Sequence, residues 1–283
     1  MTNEAAGAAG GTPGGSIGFR DKAHRRRTLA RMLTAPTGVI LFLAVWTAVA
    51  AELPPSRLVS PLAAAVHLWD NFVRSPRLEV FGLGRTGYGA LLLYTTRNLL
   101  VGLTLGSVIG IVVGVASARL RPLRLLVDPI VLVLGTVPVL VAAPLFLLWF
   151  GVVPFTQALL VGAYSTVMMV IFSQRAADNV DPVYEQSAMT RGASWHHRLR
   201  YVLIPGIVPE ILGGLRITLA SAWGLETFTE ILGAPSGIGQ GIKTLTYGNN
   251  VAGILACVGL VAVTAIVTDM LLVAAGRRLT RWA

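Results

Sequence analysis

The sequence predicts an all-α integral membrane protein with about six transmembrane helices, and three observations carry that prediction. Hydrophobic residues make up 54% of the 283 and charged residues 13%, well below the roughly 25% charge of a soluble domain. Apolar runs without a single charge recur at about the twenty residues needed to cross a bilayer core. The basic residues behind the formal net charge of +10 sit around those runs instead of along one stripe, which fits membrane topology and excludes a nucleic-acid interface.

Taken in order, residues 1–31 form a disordered basic cytoplasmic tail. They begin rich in Gly and Ala, with little to bury, and end in Arg20, Lys22, Arg25, Arg26, Arg27 and Arg31. The transmembrane domain occupies 32–283. No charge occurs from Met32 to Ala51, so span one covers about 32–52. The same basic and apolar runs with Ala48-Val49-Ala50 also spell a signal peptide, but the apolar run is long for one and more spans follow. The mixed, proline-containing stretch to about Gly89 predicts an external loop with an amphipathic helix near 63–73. Trp69 and Phe72 suit an interfacial position there.

Span two, about 92–118, carries Gly102, Gly106, Gly110 and Gly114 at i, i+4 spacing. These fall on one helical stripe and let a neighbouring backbone approach, within the chain or in a second copy. Arg119, Arg121 and Arg124 mark a short turn, and the charge-free stretch from Pro129 to Gln174 accommodates spans at 129–150 and 154–174, parted by Gly151 to Pro154. Pro138 and Pro144 each predict a kink in span three. Span five, 206–232, is the polar one, with Arg216, Glu226 and Glu230 as candidates for a translocation path; span six covers 251–275, with Asp269 near its inner end. A carboxylate at Glu226 lining the path would favour a solute with a positive group.

Six spans put both termini on one side. Placing them in the cytoplasm sets sixteen Lys/Arg inside against five outside, with Arg97 within span two and Arg216 within span five, as the positive-inside rule requires.

Between spans four and five lies DPVYEQSAMTRGASWHHRLRYVLIP, residues 181–205. Asp181 predicts an N-cap, Pro182 suits the first helical position, and Gly192 suits a left-handed closing residue. Ser194 predicts the cap of a second short helix that Pro205 and Pro209 then interrupt. At about 1.5 Å per residue the first helix is too short to cross a membrane and must lie on its surface, either docking a cytoplasmic partner or simply as an interfacial hairpin.

Catalysis and metal binding find no support. A single cysteine, Cys257, forms no intrachain disulfide. His196 and His197 are adjacent and point about 100° apart on a helix. Neither Lys22 nor Lys243 follows a glycine as a phosphate-binding loop requires.

The 181–205 segment resembles the EAA loop of permease subunits from binding-protein-dependent ABC importers of the nitrate, sulfonate and taurine type. Gln186, Ser187, Ala188, Gly192, Val202, Ile204 and Pro205 fall on the pattern, with Gln186 at the glutamate position and Glu185 one residue earlier. The resemblance extends over about 36–283 and implies a type I importer fold with a cytoplasmic coupling helix. It implies that Glu185, Gln186, Ser187, Ala188, Gly192, Ala193 and Pro205 couple the chain to two cytoplasmic ATPase subunits. It further implies a second permease subunit, an extracytoplasmic solute-binding protein, and alternating access in the cell membrane. ATP and Mg would be bound by the ATPases, with no cofactor in this chain. A stand-alone secondary transporter or channel is the alternative, and lacks the inverted repeats it would need. A membrane enzyme is the other, and lacks a nucleophile–base constellation.

Overall fold

The computed structural model describes residues 37–280, so the tail expected over 1–31, residues 32–36 and Arg281 lie outside the described residues. The first described helix, α1, is Thr37–Glu52. Within it Thr47 donates to the Leu43 carbonyl and the Phe42 and Trp46 rings meet edge to face.

From Pro55 onward the chain forms one unit. α2, Pro61–Asp70, starts where the Ser60 hydroxyl accepts the Ala63 N–H. A short α3, Pro76–Leu78, and a wide turn at Glu79–Leu83 lead to α4, Tyr88–Arg119. α5, Arg121–Thr136, and α6, Val139–Phe150, are followed by α7, Pro154–Asp178. The surface helix α8, Pro182–Thr190, precedes α9, Trp195–Arg198, and α10, Ile204–Leu232. α11, Ile238–Tyr247, and α12, Val251–Leu279, complete the chain. Four described helices are long and apolar enough to cross a membrane, and a bent pair makes a fifth.

Three expectations need correction. The helix leading into span three begins at Arg121, with Pro129 carried inside α5, and the chain bends by 96° between α5 and α6. The break is Pro138: it has no N–H to continue the ladder and forces Val137 into extended backbone, and Pro138 itself is extended. Pro144 is carried inside α6 without ending it. Second, Pro205 and Pro209 do not interrupt the chain, because Trp195–Leu232 reads as one long helix. A wide π turn at Leu199–Leu203 immediately precedes Pro205 and opens the backbone where the ring would otherwise crowd the preceding carbonyl. Third, Ser194 takes the extended N-cap conformation but its side chain makes no capping bond.

The interior follows from helix periodicity. α4 and α7 pack face to face along the glycine stripe, and α10 packs against both. One apolar cluster joins Leu99, Leu103, Val161, Leu219 and Trp223 across these three helices. A second gathers Tyr88, Leu91, Ile238, Leu245 and Cys257 around α11. A third, with Met169, Ala176, Leu203 and Ile207, lies beneath the 181–205 segment. Long apolar residues on the outer faces, such as Leu105, Val112, Leu132, Ile266 and Leu271, stay exposed, as expected of helices whose solvent is lipid.

Candidate functional site

The 181–205 segment folds as its local chemistry dictates. The Asp181 carboxylate accepts the Val183 N–H at 2.9 Å, satisfying one of the free donors of the first turn of α8. Gly192 has φ of +75°, and the Ala193 N–H reaches back to the Ala188 carbonyl at 3.0 Å, so the helix closes through a left-handed glycine. Among the described residues, none of the nine in α8 is buried, although Val183, Tyr184 and Met189 are apolar and largely exposed. Gln186 and Ser187 are exposed as well, while Ala188 and Ala193 are half-buried.

Glu185 is engaged within the chain: its carboxylate lies 2.8 Å from the guanidinium of Arg119, the last residue of α4. Sequence reasoning placed Arg119 in a turn and had no means of pairing it with a residue 66 positions away. Pro205, half-buried, stands in the first turn of α10. α8 is therefore tied to the end of one spanning helix by an ion pair and joined to another, the continuous helix Trp195–Leu232, across the turn at 191–194.

The four glycines all face α7. A Cβ on Gly102 would strike the Ala158 carbonyl oxygen, and one on Gly106 the Gly162 carbonyl oxygen; on Gly110 and Gly114 it would lie 2.6 and 2.7 Å from the carbonyls of Thr166 and Val170. The stripe thus serves contact within the chain.

The candidate path residues separate into two settings. Glu226 and Glu230 are fully buried. Glu230 accepts the Thr95 hydroxyl at 2.8 Å and the Gly239 N–H at 2.8 Å, while the Ile238 N–H donates to Thr95 Oγ1 at 2.9 Å. This carboxylate caps the N-terminus of α11, where orphan N–H groups and the helix dipole favour an anion. Gly237, φ +109°, leaves room for it, since a Cβ there would strike the carboxylate. Sequence analysis missed α11, although Ile238, Ile242 and Leu245 carry helical spacing. Neither Glu226 carboxyl oxygen has a hydrogen-bond partner among the described residues.

Arg216 is different, half-exposed on the outer side of α10 and paired with Asp269 of α12 through Nε at 2.7 Å and Nη2 at 2.8 Å.

This geometry defines a class: a multi-pass helical membrane subunit with a short exposed helix presented between two spanning segments. Residues 106–281 match the family described as binding-protein-dependent transport system inner membrane component, and the chain belongs to that family. Members are transporter permease subunits and are not themselves enzymes. The chain is 29% identical over 277 residues to the taurine transport system permease protein of Escherichia coli K12, covering 94% of this chain and 98% of that one. It is 30% identical over 200 residues to the nitrate import permease protein of Synechococcus elongatus, covering 70% and 71%. Among solved structures, a bacterial ABC transporter that imports alginate superposes with a TM-score of 0.60 at 19% identity, covering 92% and 98%. The MetNI methionine ABC transporter in an inward-facing form gives 0.58 at 21%, covering 73% and 98%. These two share the fold.

Proposed function

We propose that the chain moves a small polar solute of the taurine, sulfonate or nitrate kind inward across the cell membrane by alternating access. It would act as one half of a permease homodimer. Two cytoplasmic ATPase subunits, which bind ATP and Mg, seat on α8, and an extracytoplasmic solute-binding protein delivers the solute. Both termini face the cytoplasm in this reading, in keeping with the distribution of Lys and Arg.

The observation that carries the reading is α8 itself: a nine-residue helix with no buried residue, anchored at its start by the Asp181 cap and through Glu185 to Arg119. A helix held firmly yet with none of its residues buried is shaped to be gripped by another protein. Closure of the ATPases would move it, and the unbroken path through α9 into α10 would pass that motion to a spanning helix. Arg216 is our candidate for the translocation path, because a half-exposed charge within a span needs water or a partner subunit beside it.

The test is reconstitution of the chain with its ATPase and binding-protein subunits. Ala188→Arg and Gly192→Val should abolish solute-stimulated ATP hydrolysis while membrane insertion persists. Unchanged stimulation in both variants would remove α8 from the mechanism.

A further inference from the structure

We propose that the groove between α10 and α12 is an oxyanion site, in which Arg216 and Arg277 bind a sulfonate, sulfate or phosphate group. The groove encloses about 250 Å³ and is lined by Leu212, Gly213, Arg216, Leu272, Gly276 and Arg277 among others. Its uncharged lining residues are apolar apart from Thr280, and its two charged lining groups are both guanidinium.

The donor inventory makes the case. A guanidinium has five N–H bonds, and Asp269 accepts from Nε and Nη2 of Arg216. The other three have no partner among the described residues, and they include both on Nη1. Asp269 does not line the groove; it occupies the Nε/Nη2 edge of the guanidinium and leaves the Nη1 edge free. That edge is the planar, two-pronged fork that matches an oxyanion. Because Asp269 already fixes the rotamer, binding need not order a flexible side chain.

The position suits a ligand of this kind. Asp269 lies about 15 Å along α12 from its end at Leu279. Three unsatisfied N–H bonds at that depth are costly against hydrocarbon. Arg277, in the last turn of α12, also lines the groove and supplies the charge that Asp269 cancels at Arg216. The two glycines keep the groove open: a Cβ on Gly213 would meet nothing within 4 Å, whereas one on Gly276 would press on Leu212 at 3.1 Å.

The oxyanion has two sources, a transported solute or the phosphate of an anionic lipid in the adjoining leaflet. Where it is the solute, the inference rests on the transport reading above; the chemistry of the groove does not.

The experiment uses the full-length chain assembled with its ATPase subunits in nanodiscs. In purely zwitterionic phosphatidylcholine, methanesulfonate and sulfate are titrated and followed by calorimetry. In discs containing phosphatidylglycerol, retained lipid is counted by native mass spectrometry. Arg277→Gln should weaken the oxyanion by about tenfold, as expected on losing a charged hydrogen-bond partner. The paired change Arg216→Gln with Asp269→Asn, which keeps a neutral hydrogen-bonded pair and so protects folding, should abolish it. Saturable methanesulfonate or sulfate binding lost in these variants identifies the solute. Selective phosphatidylglycerol retention lost in them, without soluble-anion binding, identifies the lipid. If the wild-type complex shows neither, or the variants bind unchanged, the proposal is overturned. An assembled, ATP-hydrolysing complex that binds no oxyanion fails this inference alone, while a chain that recruits no ATPase fails the transport reading.

Discussion

The Glu185 carboxylate stands 2.8 Å from the Arg119 guanidinium, so the exposed helix α8 is pinned to the end of α4. Both side chains are less than a quarter exposed, which limits solvent screening, and a coupling of about 1 kcal/mol is expected for such a pair. Arg119→Gln and Glu185→Gln should each lower the ratio of transport to ATP hydrolysis, and the double variant should be no worse than either single one. A double-mutant cycle on solute uptake checks this, with additive losses counting against the pair. Because Glu185 is occupied within the chain, Gln186 is the one of the two that stays exposed to a partner. Gln186→Ala should therefore impair coupling at least as strongly as Glu185→Gln.

Close backbone contact between α4 and α7 predicts a steep cost for any side chain on the glycine stripe. Gly106→Ala aims a methyl group at the Gly162 carbonyl, and overpacking of a fitted interface costs about 1–3 kcal/mol. Gly213→Ala, where the added carbon meets nothing within 4 Å, should be nearly silent. Thermal unfolding midpoints in detergent, compared across the two variants, measure the difference.

The two buried glutamates should respond differently to the same change. Glu230→Gln exchanges a carboxylate that accepts from Gly239 N–H and Thr95 for a neutral amide, and should destabilise by about 1–2 kcal/mol. Glu226→Gln removes no hydrogen bond made by the described residues, and should leave stability within about 1 kcal/mol of wild type. Denaturant unfolding reports both. If Glu226→Gln also leaves uptake and solute selectivity unchanged, Glu226 has no role in recognition.

How far the sequence reaches is clear from these same residues. Charge-free runs locate spanning helices because bilayer thickness sets their length, and Asp181 and Gly192 mark α8 because capping is local chemistry. Gly102 to Gly114 announce close packing, but the partner, α7, is set by tertiary topology that a single stripe does not encode. The Arg119–Glu185 and Arg216–Asp269 pairs are long-range and leave no local trace. Helix α11 lay hidden for a related reason: its apolar stripe is short, Ile238, Ile242 and Leu245, and the group that caps it, Glu230, belongs to the preceding helix. Proline alone does not mark a break: Pro138 ends a helix while Pro129, Pro144, Pro205 and Pro209 lie inside one.

A network at the opposite end of the bundle predicts a dependence on pH. His67 Nε2 lies 3.1 Å from the Tyr88 hydroxyl and 3.3 Å from Asn250 Nδ2. The Asn250 carbonyl oxygen accepts the Gly253 N–H at 3.0 Å, which turns its NH₂ toward His67. Nε2 must then accept, so the network needs a neutral imidazole. Burial, followed by the nearby Arg77, holds the His67 pKa below its ordinary 6.5, with Asp70 acting in the other direction. The folded state thus binds a proton less readily than the unfolded chain, and stability rises with pH. The contribution is fully present above about pH 6.5, the unfolded value, and is lost as pH falls toward the lower folded value. Unfolding midpoints measured from pH 7.5 down to pH 5 should fall in the wild type and fall less in His67→Gln, which keeps an acceptor for Asn250 and does not titrate. Parallel curves for the two proteins would show that His67 protonation is not what weakens the fold in acid.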